Sequence, residues 1–324
     1  MENIKKVEKN FTIIIPSREF DENLIYCIKK IRRYYKNIKI FLVLDKLNKK
    51  KKFSNTKQIK SLNTNIGAKR NLAANKAKSK YLCFIDSDAF PGSYWLNYHY
   101  KNLKKFHISG GPNISYVENN GDKEIVSRVR LLNFVTYDPD TKKKIFKKKF
   151  VDFLPACNFC IRKETYLQMG GMAENLFTNE ELQLMDNLKK KQKKILLDPK
   201  PFVFHQERSI KNFFFQRMNY GSSLLYNFIN YPSYTTFLGL LSLTPIILMC
   251  SIFLVPFYNV FIYIFIIQFF VSLIINIYFA TKIKKQNSFF KCLLVVIIAV
   301  YGFGVGFIFT LIDHKKLKKF YIQS

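Results

Sequence analysis

The sequence predicts an α/β domain on a largely parallel sheet, followed by helices apolar enough to enter a membrane. Three observations carry that expectation. Short β-branched and apolar runs alternate with amphipathic stretches between residues 11 and 204, the pattern of strands and covering helices. One apolar run, Tyr81 to Ile85, ends in Asp86-Ser87-Asp88. From Phe237 onward charge disappears over long segments.

The elements follow in order. Phe11 to Pro16 reads as a buried first strand ended by proline. Asp21 caps the next helix, which places Leu24, Ile25, Ile28 and Ile31 on one face. Ile38 to Leu44 is a second strand ending at Asp45, and the lysine-rich stretch 46–56 is a loop. A short strand is expected at 58–62, and Asn65-Ile66-Gly67 opens a helix to about Lys78. Past the acidic triplet, 107–111 is a strand entering a glycine turn, 125–134 a helix, and 150–154 leads into Pro155-Ala156-Cys157-Asn158. Residues 164–168 form a short helix stopped by Gly170-Gly171, 180–190 an amphipathic helix, and 195–197 and 202–204 two short strands.

The 324 residues carry 53 Lys and Arg against 22 Asp and Glu, a formal net charge of +31. Such a surplus favours anionic partners, among them acidic lipid and phosphorylated substrates. Nucleic acid is set aside as a partner, because neither zinc-finger spacing nor an RNA-binding aromatic signature is present. Lysine runs at 49–52, 142–144, 147–149 and 189–194 are in part plain solvated faces. The six cysteines are scattered. Cys157 and Cys160 have C-x-x-C spacing without a second pair, so reduced thiols are expected.

Residues 237–257, 258–280 and 292–312 each reach the ~20 apolar residues that a bilayer-crossing helix needs. The charged start, Met1 to Asn10, lacks an apolar signal, which places the first domain in the cytoplasm as an expectation. Lys282, Lys284, Lys285 and Lys291 between the second and third segments suit an inside loop. The equally basic tail, 313–324, conflicts with three full spans, so the third segment either spans or re-enters. Residues 209–231, rich in aromatic and basic side chains, suit the membrane interface. The expected division is a catalytic domain at 1–221, an interfacial linker at 222–236, a membrane region at 237–312 and a basic tail, with oligomerisation through the apolar helices open.

Two carboxylates on a turn at the carboxyl end of a strand suit a hard divalent cation, Mg²⁺ or Mn²⁺, bridging to phosphate. The order of motifs narrows this. A strand ending in Pro16-Ser17, a strand ending in Asp45, Asn65 to Asn71, the acidic triplet, Pro155 to Asn158, Gly170-Gly171, Glu180-Glu181 and Val203-Phe204-His205 follow one another along the chain. This order resembles the family-2 glycosyltransferases over roughly residues 10–221. The resemblance implies a GT-A fold, a Rossmann-like mixed sheet, and inverting transfer from a nucleotide-sugar donor.

It also implies roles. Pro16, Ser17 and Arg18 hold the nucleotide, and Asp45 reads the base, although Lys46 stands where the family often has a second acid. Gly67 permits the tight start of its helix and Arg70 reaches phosphate. Asp86 meets the ribose or shares the metal, Asp88 ligates it, and His205 ligates it or bonds phosphate. Asn158 lies by the donor. Glu181, with Glu180 beside it, is the general base. Gln183 and Asn187 replace charges the family often carries. Gln216, Asn219 and Tyr220 match incompletely the Gln-x-x-Arg-aromatic motif of processive synthases. Trp95 reads as a packing residue rather than a sugar platform.

The expected function is a membrane-anchored, metal-dependent glycosyltransferase acting on a lipid-linked or glycan acceptor in cell-surface polysaccharide or glycoconjugate synthesis. Two other classes stay open at this level. A non-catalytic nucleotide-sugar-binding subunit would bind donor without transfer, and a processive synthase would make long product.

Overall fold

The computed structural model describes residues 3–48, 50–117, 121–129, 147–176, 178–234, 260–283 and 288–312. The first apolar segment, 237–257, the tail 313–324, the lysines at 142–144, 284 and 285, and residues 130–134 of the expected helix lie outside them. Contacts divide the chain into two units, 1–116 with 134–206, and 117–133 with 207–324.

The first unit is a mixed α/β fold. Its strands are β1 (Phe11–Pro16), β2 (Lys39–Leu44), β3 (Thr56–Lys60), β4 (Tyr81–Phe84), β5 (Ala89–Pro91), β6 (Ile108–Gly110), β7 (Asn113–Tyr116), β8 (Lys149–Val151), β9 (Phe159–Arg162), β10 (Ile195–Leu197) and β11 (Val203–Gln206). Eight of them form one sheet in the order β3-β2-β1-β4-β9-β6-β10-β8. Strands β3, β2, β1 and β4 are parallel, while β9 runs against both β4 and β6, and β8 against β10. A second sheet, β5-β11-β7, carries the turn after β4.

Strand β1 is central because every residue in it is buried. Helices α1 (Ile4–Asn10), α2 (Glu22–Tyr34) and α4 (Trp95–Leu103) cover the face bearing Ile13 and Ile15. Asp21 caps α2 by accepting from Leu24 N at 2.8 Å, as the sequence predicts, a contact worth about 1 kcal/mol. Helix α3 (Ile66–Lys76) lies against β1 and β2. Helices α6 (Lys163–Gln168) and α7 (Glu181–Lys190) complete the unit.

One expectation is corrected. Cys83 on β4 and Cys160 on β9 face each other in the antiparallel register, with Cα atoms 4.2 Å apart, and form a disulfide. Opposed positions on neighbouring antiparallel strands bring the two Cβ atoms together, which residue spacing cannot reveal. Cys157 stands outside the disulfide, its Sγ accepting from Asn113 Nδ2 at 2.8 Å.

The second unit is helical: α5 (Asp122–Val129), α8 (Ile210–Ser222), α9 (Leu224–Asn230), a short 3₁₀ turn at Pro232–Tyr234, α10 (Val260–Ile283) and α11 (Phe289–Ile312). Residues 207–221, read from sequence as the end of the first domain, group with these helices, because α8 packs along α11. Helices α10 and α11 are each 24 residues long and apolar enough to cross a membrane. At 1.5 Å per residue that is roughly 36 Å, against a hydrocarbon core of about 30 Å.

Candidate active site

The site begins where β4 ends. Ile85 N still bonds Ile14 O, and the chain then leaves the sheet through Asp86-Ser87-Asp88 into β5. Strand β5 pairs antiparallel with β11, which sets His205 opposite Ala89, and Gln206 N donates to Asp88 O at 2.9 Å. This small sheet brings the imidazole to the acidic turn. Ligand atoms of Asp86, Asp88 and His205 all lie within 4.8 Å of one another, and His205 Nε2 is 3.4 Å from Asp88 Oδ1. His205 Nδ1 is 2.9 Å from Gln206 O. A carbonyl only accepts, so Nδ1 carries the proton, and Nε2 is the ring nitrogen that faces the carboxylates. A carbonyl-fixed imidazole beside two carboxylates is a donor set for a divalent cation.

Helix α3 ties this turn to the rest of the site. Its buried face holds Lys69, Arg70, Ala73 and Ala74. Two cations on an alanine face need acidic partners; Lys69 has one and Arg70 has two. Arg70 Nη2 lies 2.6 Å from Asp86 Oδ1, and its Nη1 pairs with Glu180. Lys69 Nζ lies 2.7 Å from Asp45 Oδ1 and donates to Ser17 O at 2.8 Å. Arg70 was expected to reach phosphate. Its guanidinium is instead buried between two carboxylates, whose charge raises its pKa against the effect of burial.

The acidic pair is held by the same helix. Asn65 caps α3 by accepting from Gly67 N at 2.7 Å, and its amide donates to Leu176 O. Asn71 accepts from Met172 N at 3.0 Å and from Tyr166 Oη at 2.5 Å, and donates to Met172 O. A Cβ on Gly67 would lie 2.1 Å from Ala173 O, so only glycine permits this approach. Gly170 and Gly171, with φ of 78° and 73°, turn the chain in the left-handed region. Ala173 N then bonds Glu180 O at 2.9 Å. Residues 65–71 therefore brace the 170–180 loop that delivers Glu180 and Glu181.

Both acids are buried. Burial raises Glu180, and Arg70 opposes it. Burial and then the charge of Glu180 push Glu181 up to about 8, with Arg70 again opposing. Glu181 Oε1 accepts from Ala156 N at 3.3 Å, which fixes the carboxylate against the 155–158 turn.

The remaining expected residues divide. Pro16, Ser17 and Arg18 leave β1 beside the end of β2, where Ser17 N bonds Val43 O and Asp45 N bonds Arg18 O, each at 3.0 Å. Asp45 thus sits next to the first loop, at the carboxyl ends of parallel strands. Asn158 departs from its expected place by the donor. It is fully buried, donates to Pro112 O at 2.9 Å and Pro201 O at 2.8 Å, and accepts from Trp95 Nε1 at 2.8 Å. Its amide is consumed in joining three chain segments. Trp95 is core, as expected. Lys69 and Asn71 were missed as site residues. The spacing of Lys69 and Arg70 four residues before Ala73 and Ala74 is the signal that reveals a buried cationic face.

Among curated proteins none matches. The crystal structure of GalNAc-T7 with UDP, GalNAc and Mn²⁺ is similar at a TM-score of 0.48 and 16% identity, over 66% of this chain and 50% of that one. The chain thus spans about half the length of that structure. The sequence model of Glycosyltransferase like family 2 matches residues 12–260, from β1 to the first residue of α10, and the chain belongs to that family.

Proposed function

We propose that the chain is a membrane-anchored transferase that moves a sugar from a nucleoside-diphosphate donor, with inversion, to a hydroxyl of a lipid-linked or glycan acceptor. One observation carries the reading. Asp86, Asp88 and His205, distant in sequence, converge to within 4.8 Å, and Arg70 links their turn to the acidic pair at the start of α7. Family membership and the two apolar helices agree with it.

The donor set fits Mg²⁺ or Mn²⁺, held by Asp86, Asp88 and His205 Nε2. Bound there, the ion supplies Lewis-acid neutralisation of the charge that gathers on a departing diphosphate. The chain's own residues do the rest. Pro16, Ser17, Arg18 and Asp45 form the nucleoside shelf at the strand ends. Lys69 fixes the shelf by binding Asp45 and the Ser17 carbonyl together. Arg70 holds Asp86 and Glu180 in register and keeps their charges compensated. Glu181 takes the proton of the acceptor hydroxyl on a carboxylate oxygen, and its raised pKa makes it a stronger base than an ordinary glutamate.

The test is transfer from radiolabelled nucleotide sugars to extracted lipids by the full-length protein, with and without Mn²⁺. Asp88→Asn and Glu181→Gln lose transfer while remaining folded, the second by about 10²-fold or more, the usual share of a general base. Undiminished transfer by either variant overturns the assignment of that residue.

A further inference from the structure

We infer that α8 is embedded in the lipid bilayer beside α11, with its carboxyl end near mid-depth, rather than lying along the membrane surface. The inference rests on α11 as a span.

The polar end of the α10–α11 pair is marked first. Lys291 Nζ lies 3.1 Å from Asp122 Oδ1, and Arg128 Nη1 donates to Ile283 O, the end of α10, at 3.1 Å. These charges belong at the edge of the hydrocarbon. Helix α8 then follows α11 inward, in the same direction. Phe213 packs in one cluster with Cys292, Val295, Val296 and Ala299. Arg217 donates to Ala299 O and stacks 3.8 Å from the Phe303 ring centroid. Tyr220 stacks on Phe303 at 5.9 Å. From Lys291 to Phe303 is a rise of roughly 18 Å, past half of a ~30 Å hydrocarbon layer.

The packing is of the kind that membrane helices use. A Cβ on Gly221 would lie 1.9 Å from Phe303 O, one on Gly306 1.9 Å from Met218 O, and one on Gly302 2.7 Å from Arg217 Cβ. Small residues four apart let two backbones touch where no hydrophobic force separates lipid from side chain. Three polar side chains bond back to the backbone a turn earlier, as a dry solvent favours. Ser222 donates to Asn219 O, Ser223 to Tyr220 O and Asn230 to Tyr226 O. Phe215, Phe228 and Ile229 are exposed by half or more, with Asn219 and Asn230 also exposed. Helix α10 likewise exposes apolar side chains, Tyr263 and Ile274 each by 65%. One occupant suits large apolar side chains left bare beside a 24-residue apolar helix, and that is acyl chain.

The experiment uses full-length protein reconstituted with lipids brominated along the acyl chains. Native Trp95 is buried and serves as a constant background. Phe215→Trp and Ile274→Trp each add one indole at an exposed position, so folding is retained. The expected result is strong quenching of both by acyl-chain bromine and little by aqueous iodide. Quenching of Ile274→Trp with Phe215→Trp open to iodide overturns the embedding of α8 and leaves the spans standing. Loss of acyl-chain quenching at both positions overturns the spans and the inference together, while the transfer assay above remains an independent test of function.

Discussion

Arg70 and Arg217 are both withdrawn from solvent to a large degree, and the molecule satisfies them in opposite ways. Arg70, 2% exposed, lies between two carboxylates in the first unit. Arg217 in the second unit is given a backbone carbonyl and the face of Phe303. A cation between two anions is a device for holding those anions still, at the cost of desolvating three charges. A cation on a carbonyl and a ring holds nothing that carries charge, and its stem fills space between helices. The first unit therefore uses an arginine to hold two carboxylates in place, and the second uses one to pack.

The largest test of that contrast is Arg70→Met. It leaves Asp86 and Glu180 facing each other without a cation in a buried setting. A loss of about 3–5 kcal/mol in unfolding free energy is expected, together with loss of transfer. Arg70→Lys keeps the charge but cannot span both carboxylates, so it recovers part of the stability and little transfer. Denaturant unfolding followed by Trp95 fluorescence measures the first quantity. A fall below 1 kcal/mol would show that the two carboxylates do not depend on Arg70.

Next in size is Gly221→Ala. The added methyl has nowhere to go, because Phe303 O lies 1.9 Å from the Cβ position. Overpacking of this kind costs about 1–3 kcal/mol. Thermal unfolding of the helical signal in reconstituted protein reads it, and an unchanged midpoint would mean that α8 and α11 do not touch at backbone distance. Arg217→Met is expected to shift the same midpoint least, by about 1 kcal/mol or less, since an apolar chain of similar length replaces a charge that meets no carboxylate among the described residues. A loss as large as that of Arg70→Met would erase the distinction between the two arginines.

How much of this was legible in the sequence differs by level. Strand β1, strand β2, the Asp21 cap and the Asn65 start of α3 were read within a residue or two, because each has a local signature. Strands β5, β7 and β9 were not. Each has three or four residues, too few for a period, and β9 hides between the 155–158 turn and α6. The triplet and His205 were found from motif order, and the small sheet supplies their convergence. The partners of Arg70 were not legible, because Asp86 and Glu180 meet it only through the tertiary fold. Asn158 misled for the same reason: its motif position says nothing about the two proline carbonyls that saturate it.

The smallest expected effect tests the cluster around Arg70 most finely. Glu181 is raised from 4.5 to about 8, first by burial and second by the charge of Glu180. A base works deprotonated, so kcat/KM should climb with pH up to about 8, where an ordinary glutamate would level off near 5. The folded protein also retains a proton that the unfolded chain gives up between about 4.5 and 8, so this residue's effect is a stability that falls as pH rises through that window. Glu180→Gln removes the second cause and leaves Arg70 in place. The limb should then move to lower pH by a fraction of a unit, with the plateau rate reduced less than in Arg70→Met. A pH–rate profile of the two proteins decides it. A limb already near 5 in the unaltered chain would remove Glu181 as the base, and a limb that ignores Glu180→Gln would show that burial alone sets its proton affinity.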